Sequence, residues 1–174
     1  MLDAIGELGA TNPAVIIDGR SGAAKSTLAR LLVARWPQAG RVQLVALDSL
    51  YPGWDGLAEG VAVAREHVLR PHARGLIGVW QRWDWERAEP AEAHAVDPSL
   101  PLIVEGVGIL TPETARLADV RVWLESPATS RRERALRRDG ETYRPYWERW
   151  ARQEARHVAQ NDPSALASLV FAIP

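Results

Sequence analysis

The apolar run Ala14-Val15-Ile16-Ile17-Asp18 ends at Gly19, and the segment from Gly19 to Thr27 that follows holds the chain's single lysine, Lys25. A continuous run with β-branched residues suits a strand buried on both faces, as in a parallel sheet. Ser26 to Trp36 then places Leu28, Leu31 and Leu32 at helical spacing, and Pro37 ends the pattern. Strand, glycine-containing turn and helix in this order are the tightest constraint on the chain. Such a turn presents backbone N–H groups at the positive end of a helix, which favours an anion.

The turn reads Gly19-Arg20-Ser21-Gly22-Ala23-Ala24-Lys25-Ser26-Thr27. Gly19, Lys25 and Ser26 follow the spacing of the phosphate-binding pattern G-x-x-x-x-G-K-[ST], with Gly22 inside the loop, in which amides cradle phosphates, lysine reaches the terminal ones and the hydroxyl serves magnesium. The departure is Ala24, where the pattern has glycine. All nine residues from Gly19 to Thr27 are therefore candidate nucleotide contacts, with Ser26 the candidate magnesium ligand. A turn that merely caps a helix, or a degenerate loop that binds without turnover, would read similarly. Of the 21 basic side chains the other 20 are arginine, so the position of Lys25 is informative.

Strand and helix patterns continue to alternate. Val42 to Leu47 reads as a strand closing at Asp48, and Leu57 to His72 as an amphipathic helix broken by Pro71 and Gly75. Ile77 to Glu89, with Trp80, Trp83 and Trp85, fits either a strand or a packed loop. Leu102-Ile103-Val104 and Val120 to Leu124 read as strands, Ala128 to Arg138 and Tyr143 to Gln160 as helices, and Ser168 to Ile173 as a fifth strand. This order predicts an α/β fold: a single domain over 1–174, a three-layer α/β/α sandwich around a five-stranded parallel sheet with right-handed crossovers.

Composition narrows the partners. A formal net charge of −1 gives no electrostatic footprint for nucleic acid or an anionic membrane. No run approaches the ~18 apolar residues of a membrane helix, and the absence of cysteine removes disulfides and thiolate chemistry and fits a cytoplasmic location. The four histidines show no metal-ligand spacing and read as surface or packing residues.

Two acids sit where a parallel sheet opens toward ligands, at the carboxyl ends of predicted strands. Asp48 could accept the proton of a hydroxyl; capping its own loop is the alternative. Glu105 could hold magnesium through water, or be an ordinary strand-end acid. In the arginine-rich stretch Arg131 to Arg138, the i,i+4 pair Arg134 and Arg138 is the candidate clamp on the nucleotide, whereas Arg131, Arg132 and Arg137 read as a solvated face. Trp54, Trp80, Trp83 and Trp85 could build a stacking wall for a planar acceptor, while Trp147 and Trp150 read as core.

In motif order the chain resembles the uridine kinase branch of P-loop kinases, with phosphoribulokinase and pantothenate kinase among its relatives. Ile17-Asp18-Gly19-Arg20-Ser21-Gly22 looks like that branch's loop start. Asp48-Ser49-Leu50-Tyr51 is similar to its D-S-F-Y segment, Arg82-Trp83-Asp84-Trp85 to its Y-D-F acceptor segment, and Val104-Glu105-Gly106 to its E-G element. Arg134-Ala135-Leu136-Arg137-Arg138-Asp139 resembles its R-x-x-x-R-D lid. The resemblance implies a P-loop NTPase fold with an arginine-rich helical lid, approximately residues 127–142, that closes over ATP. It also implies Asp48 as base, and Tyr51, Trp83, Asp84 and Trp85 around the acceptor, with Asp84 on the acceptor's hydroxyls.

The expectation is an ATP- and Mg2+-dependent transfer of phosphate to a hydroxyl of a small molecule, most nearly a nucleoside. Lys25, Asp48, Arg134 and Arg138 would be the catalytic residues, and Ser26 and Glu105 would serve the metal. The alternatives are another small acceptor, such as a nucleoside monophosphate gripped by Arg65, Arg70 and Arg74, a vitamin precursor or an antibiotic, or a nucleotide-binding sensor without turnover.

Overall fold

The run at residues 14–19 forms strand β1 (Ala14–Gly19), buried along its whole length because strands flank both its edges and helices cover both its faces. The computed structural model describes residues 1–37 and 40–174. The side chain of Asp139, the acid of the lid-like motif, lies outside the described residues. A short helix, α1 (Leu2–Gly6), precedes β1, and α2 (Lys25–Ala34) follows it. Next come β2 (Gln43–Ala46), a 3-10 turn (Leu47–Ser49), α3 (Leu57–Val63), a π-helical segment (Ala64–Leu69) and α4 (Arg70–Ala73). A hairpin of β3 (Gly78–Asp84) and β4 (Glu89–Val96) leads to β5 (Leu102–Glu105), α5 (Pro112–Ala115) and β6 (Val120–Glu125). The chain ends with α6 (Ala128–Tyr143), α7 (Trp147–Asn161), α8 (Pro163–Leu166) and β7 (Leu169–Ala172).

Five strands form one parallel sheet in the order β2-β5-β1-β6-β7. The fold is an α/β sandwich around this sheet, as the strand and helix alternation predicts. Side chains leave successive residues of a strand on opposite faces, and β1 shows the result. Val15 and Ile17 join Ala29, Leu32, Ile103 and Val122 on one face, while Ile16 joins Val104, Val68, Leu69, Trp147 and Trp150 on the other. Burying each such aliphatic side chain contributes roughly 1.5–3 kcal/mol. Register then sets the rim: Glu105 lies opposite both Ile17 of β1 and Ala46 of β2. The strand-end acids and the turn after β1 therefore emerge side by side.

Below that rim the fully buried carboxylate of Asp18 accepts N–H bonds from Gly19 (2.6 Å), Gly108 (3.0 Å) and Leu110 (2.8 Å). His157 of α7, itself buried, approaches at 3.1 Å. One side chain thus joins the end of β1, the loop after β5 and the last long helix.

Three features depart from the sequence patterns. Residues 89–96 pair antiparallel with β3 although Glu, Pro and Ala disfavour strands; the ladder with the tryptophan-rich β3 holds them. Helix α1 forms over a stretch that carries no helical pattern and seats Ile5 in the core. The helical path also runs through Pro71 to Ala73, with the π-helical segment ahead of it, so the break falls at Gly75 alone. Proline withholds an N–H from the helix, and the carbonyl of His67, four residues back, instead faces Gly78, where a Cβ would approach it to 2.4 Å. No described helix is long and apolar enough to cross a membrane.

Asp18→Ala leaves three buried N–H groups without an acceptor, at about 1–3 kcal/mol each. Urea unfolding is expected to show a loss of roughly 3 kcal/mol or more; an unchanged midpoint would remove Asp18 from its structural role.

Candidate functional site

A cleft of about 670 Å³ opens above the carboxyl ends of β2, β5 and β1. The turn after β1 supplies Ser21, Gly22, Ala24, Lys25, Ser26 and Thr27 to its floor. Gly19, Arg20 and Ala23 lie outside it: Ala23 is packed in the core beneath, and the Arg20 side chain turns to Glu154 at 3.1 Å. The turn curls into the N-terminus of α2, where Ala24 occupies the N-cap with φ 69° and ψ 22°. This left-handed conformation costs an L-residue about 1–2 kcal/mol, so the chain adopts with alanine the backbone that a glycine would take freely.

The two acids face the same cleft. Ser26 Oγ donates to Glu105 Oε1 at 2.7 Å. Burial pushes the Glu105 carboxyl above its ordinary range, with the Lys25 ammonium and the Ser26 hydroxyl opposing that rise. Asp48 sits in the 3-10 turn just past β2. Lys25 Nζ makes a long contact of 3.4 Å to the carbonyl of Arg20, weak enough to exchange for an anion.

Aromatic side chains form the other wall. Tyr51, Trp54, Trp85, Tyr143 and Trp150 all line the cleft. Trp54 stacks on Tyr143 (centroids 5.2 Å, 14° between planes) and on Tyr146 (4.7 Å, 8°), and Trp85 leans against it at 4.9 Å. The Trp85 indole N–H donates to the Asp48 carbonyl at 2.7 Å, which ties the hairpin turn to the strand end that carries the acid.

Trp83 and Asp84 fall elsewhere. Strand alternation alone would put Trp83 and Trp85 on one face, but the pairing slips between Gln81 and Trp83 and Trp85 lies beyond the strand end. Trp83 lines a second groove behind the site, with Leu50, Pro52 and Trp80. Asp84 accepts from the N–H groups of Glu86 and Arg87, both at 3.0 Å, and so closes the hairpin turn.

The arginine helix also divides. Arg138 lines the cleft, whereas Arg134 donates to the carbonyl of Gly22 at 2.7 Å and to Ser126 Oγ and the Pro174 carbonyl. Arg131 is not on a solvated face, which corrects the expectation for it: it is 4% exposed and donates to the carbonyls of Ser126 (3.1 Å) and Ser21 (3.2 Å). Its partner Glu154, 1% exposed, carries no local motif in the sequence. Only an acid at the buried stripe of an amphipathic helix hinted at it. Trp147 and Trp150 are core residues as expected.

No protein-family model matches the sequence, and no curated protein does. Solved structures do. A possible uridine kinase from Bacillus stearothermophilus is 21% identical with a TM-score of 0.68, each chain covered over 97%. A candidate fructose transport system kinase from Silicibacter sp. TM1040 is 19% identical with a TM-score of 0.60, covering 98% of this chain and 96% of that one. At these identities the likeness establishes the fold alone: the chain shares its α/β sandwich with both structures.

Ala24→Gly relieves the left-handed strain and is expected to raise the free energy of unfolding by about 1 kcal/mol, read by urea denaturation. A fall in stability would mean that the alanine methyl is held by favourable packing.

Proposed function

We propose that this chain is an ATP- and magnesium-dependent kinase that transfers the γ-phosphoryl group to a hydroxyl of a small uncharged molecule, most nearly a nucleoside. The observation that carries the reading is the convergence of Lys25, Ser26, Glu105 and Asp48 on one cleft, with Ser26 and Glu105 already in hydrogen-bond contact. Phosphoryl transfer asks for positioning and charge neutralisation more than for covalent chemistry.

In this reading the loop amides and Lys25 hold the β- and γ-phosphates, and Arg138 approaches from α6, the candidate lid. Arg134 acts on the loop itself, through the Gly22 carbonyl. Ser26 and Glu105 form an all-oxygen donor pair, the kind magnesium takes alongside water and phosphate oxygens. When bound, that ion offsets charge on the transferring group. Asp48 accepts the proton as the acceptor oxygen attacks the γ-phosphorus and the bond to ADP breaks.

The wall of Tyr51, Trp54, Trp85 and Trp150 suits a planar acceptor. The arginines expected to grip an anionic acceptor, Arg65, Arg70 and Arg74, do not line the cleft; Arg65 and Arg70 are instead paired with Glu66 at 2.8 and 2.5 Å. The strained Ala24 favours, as a second reading, a sensor that binds nucleotide without transfer.

Transfer of labelled γ-phosphate to a nucleoside panel tests both. Asp48→Asn is expected to lower the rate by about 10²-fold or more with nucleotide binding retained. Equal rates would remove Asp48 from the mechanism, and nucleotide binding without any phosphorylated product would select the sensor.

A further inference from the structure

Ser21 is held at each of its polar atoms by the two long C-terminal helices. Its N–H donates to Glu154 Oε1 at 2.8 Å, its carbonyl accepts from Arg131 at 3.2 Å, and its Oγ accepts from the Tyr143 hydroxyl at 3.0 Å. All four residues are buried. The next residue is gripped as well. The Gly22 carbonyl takes Arg134 Nε, and a Cβ on Gly22, whose φ is +79°, would lie 2.1 Å from the Arg131 carbonyl oxygen.

A strand-turn-helix unit can form such a loop without help from residues more than 100 positions away. Here three distant side chains converge on one residue, and two of them are buried charges that are costly unless paired. Glu154 meets that need with Ser21, with Arg20 at 3.1 Å and with Arg131 at 3.8 Å. The contacts also straddle a bend. Gly140 leaves helical geometry inside α6 (φ 55°, ψ −133°), so Arg131 acts from before the bend and Tyr143 from after it.

We propose that Arg131, Tyr143 and Glu154 are positioning residues that set the shape of the phosphate loop through Ser21, so that nucleotide affinity depends on how α6 and α7 dock. The inference rests on reading the cleft as a nucleotide site. With Ser21 clamped at its N–H and at its carbonyl, the amides that follow it keep a fixed direction toward the cleft. Because α6 also carries Arg138 to the cleft wall, one element touches the loop from outside and from inside.

Calorimetric titration of the full chain with ATP and magnesium, beside thermal melting of the free protein, tests this. Ser21→Ala and Tyr143→Phe each delete the same hydrogen bond. Each is expected to weaken binding about two- to ten-fold, and the double variant should bind no worse than the weaker single one. Glu154→Ala is expected to cost about ten-fold or more, and Glu154→Gln, which keeps an acceptor for the Ser21 N–H, to recover most of it.

Additive losses in the double variant, or lowered melting with unchanged affinity, would overturn the proposal. So would tighter binding by Glu154→Gln, since the acid would then act only by repelling phosphate. If Glu154→Ala does not fold, the Ser21 and Tyr143 cycle decides alone. A wild-type chain that takes up no nucleotide overturns the reading of the cleft and this inference with it, whereas wild-type binding with indifferent variants overturns the inference alone.

Discussion

A carboxylate shut away from water must find donors within the protein, and Asp18 finds them on three separate elements. Its bonds to Gly19, Gly108 and Leu110 and its contact with His157 lock the end of β1 to the loop after β5 and to α7. The rim of the cleft is built on that lock. Glu105 precedes the loop that Asp18 holds, the turn leading to Lys25 begins at the residue after Asp18, and α7 brings Glu154 onto the same turn.

From this arrangement the chemistry of the cleft follows in order. Parallel register sets Glu105 opposite Ala46, two residues before Asp48 in the turn beyond β2, the helix N-terminus supplies positive potential, and aromatic rings close the remaining side. Lys25 and Glu105 are buried there, so their charges act through a lower dielectric than at the surface, whereas Asp48 and Arg138 stay exposed. The raised carboxyl of Glu105 reflects that burial.

Much of the fold was legible because it rests on local patterns. The β-branched runs at 14–18, 102–104 and 120–124 are continuous because both sheet faces are covered, and the helices at 26–34 and 147–161 carry clear apolar stripes. Strand β4 was not legible, since Glu89 to Val96 has no strand pattern of its own and exists by pairing with β3. The candidate site was legible where one segment carries several of its residues, as from Ser21 to Thr27, and where an acid ends an apolar run. It was misleading in the hairpin. A single slip of register sends Trp83 to a second groove while the turn beyond β3 brings Trp85 to the cleft, and alternation cannot foresee a slip.

The amino-acid order alone determined the alternation of strands and helices, the turn with its lone lysine and the two strand-end acids, because each depends on neighbours a few residues apart. Tertiary structure decided which arginine of α6 faces the cleft, which tryptophan of the hairpin walls it, and that Glu154, Arg131 and Tyr143 hold Ser21. Those outcomes depend on where helices from the far end of the chain settle, and burial of a charge becomes tolerable only once its distant partner has arrived.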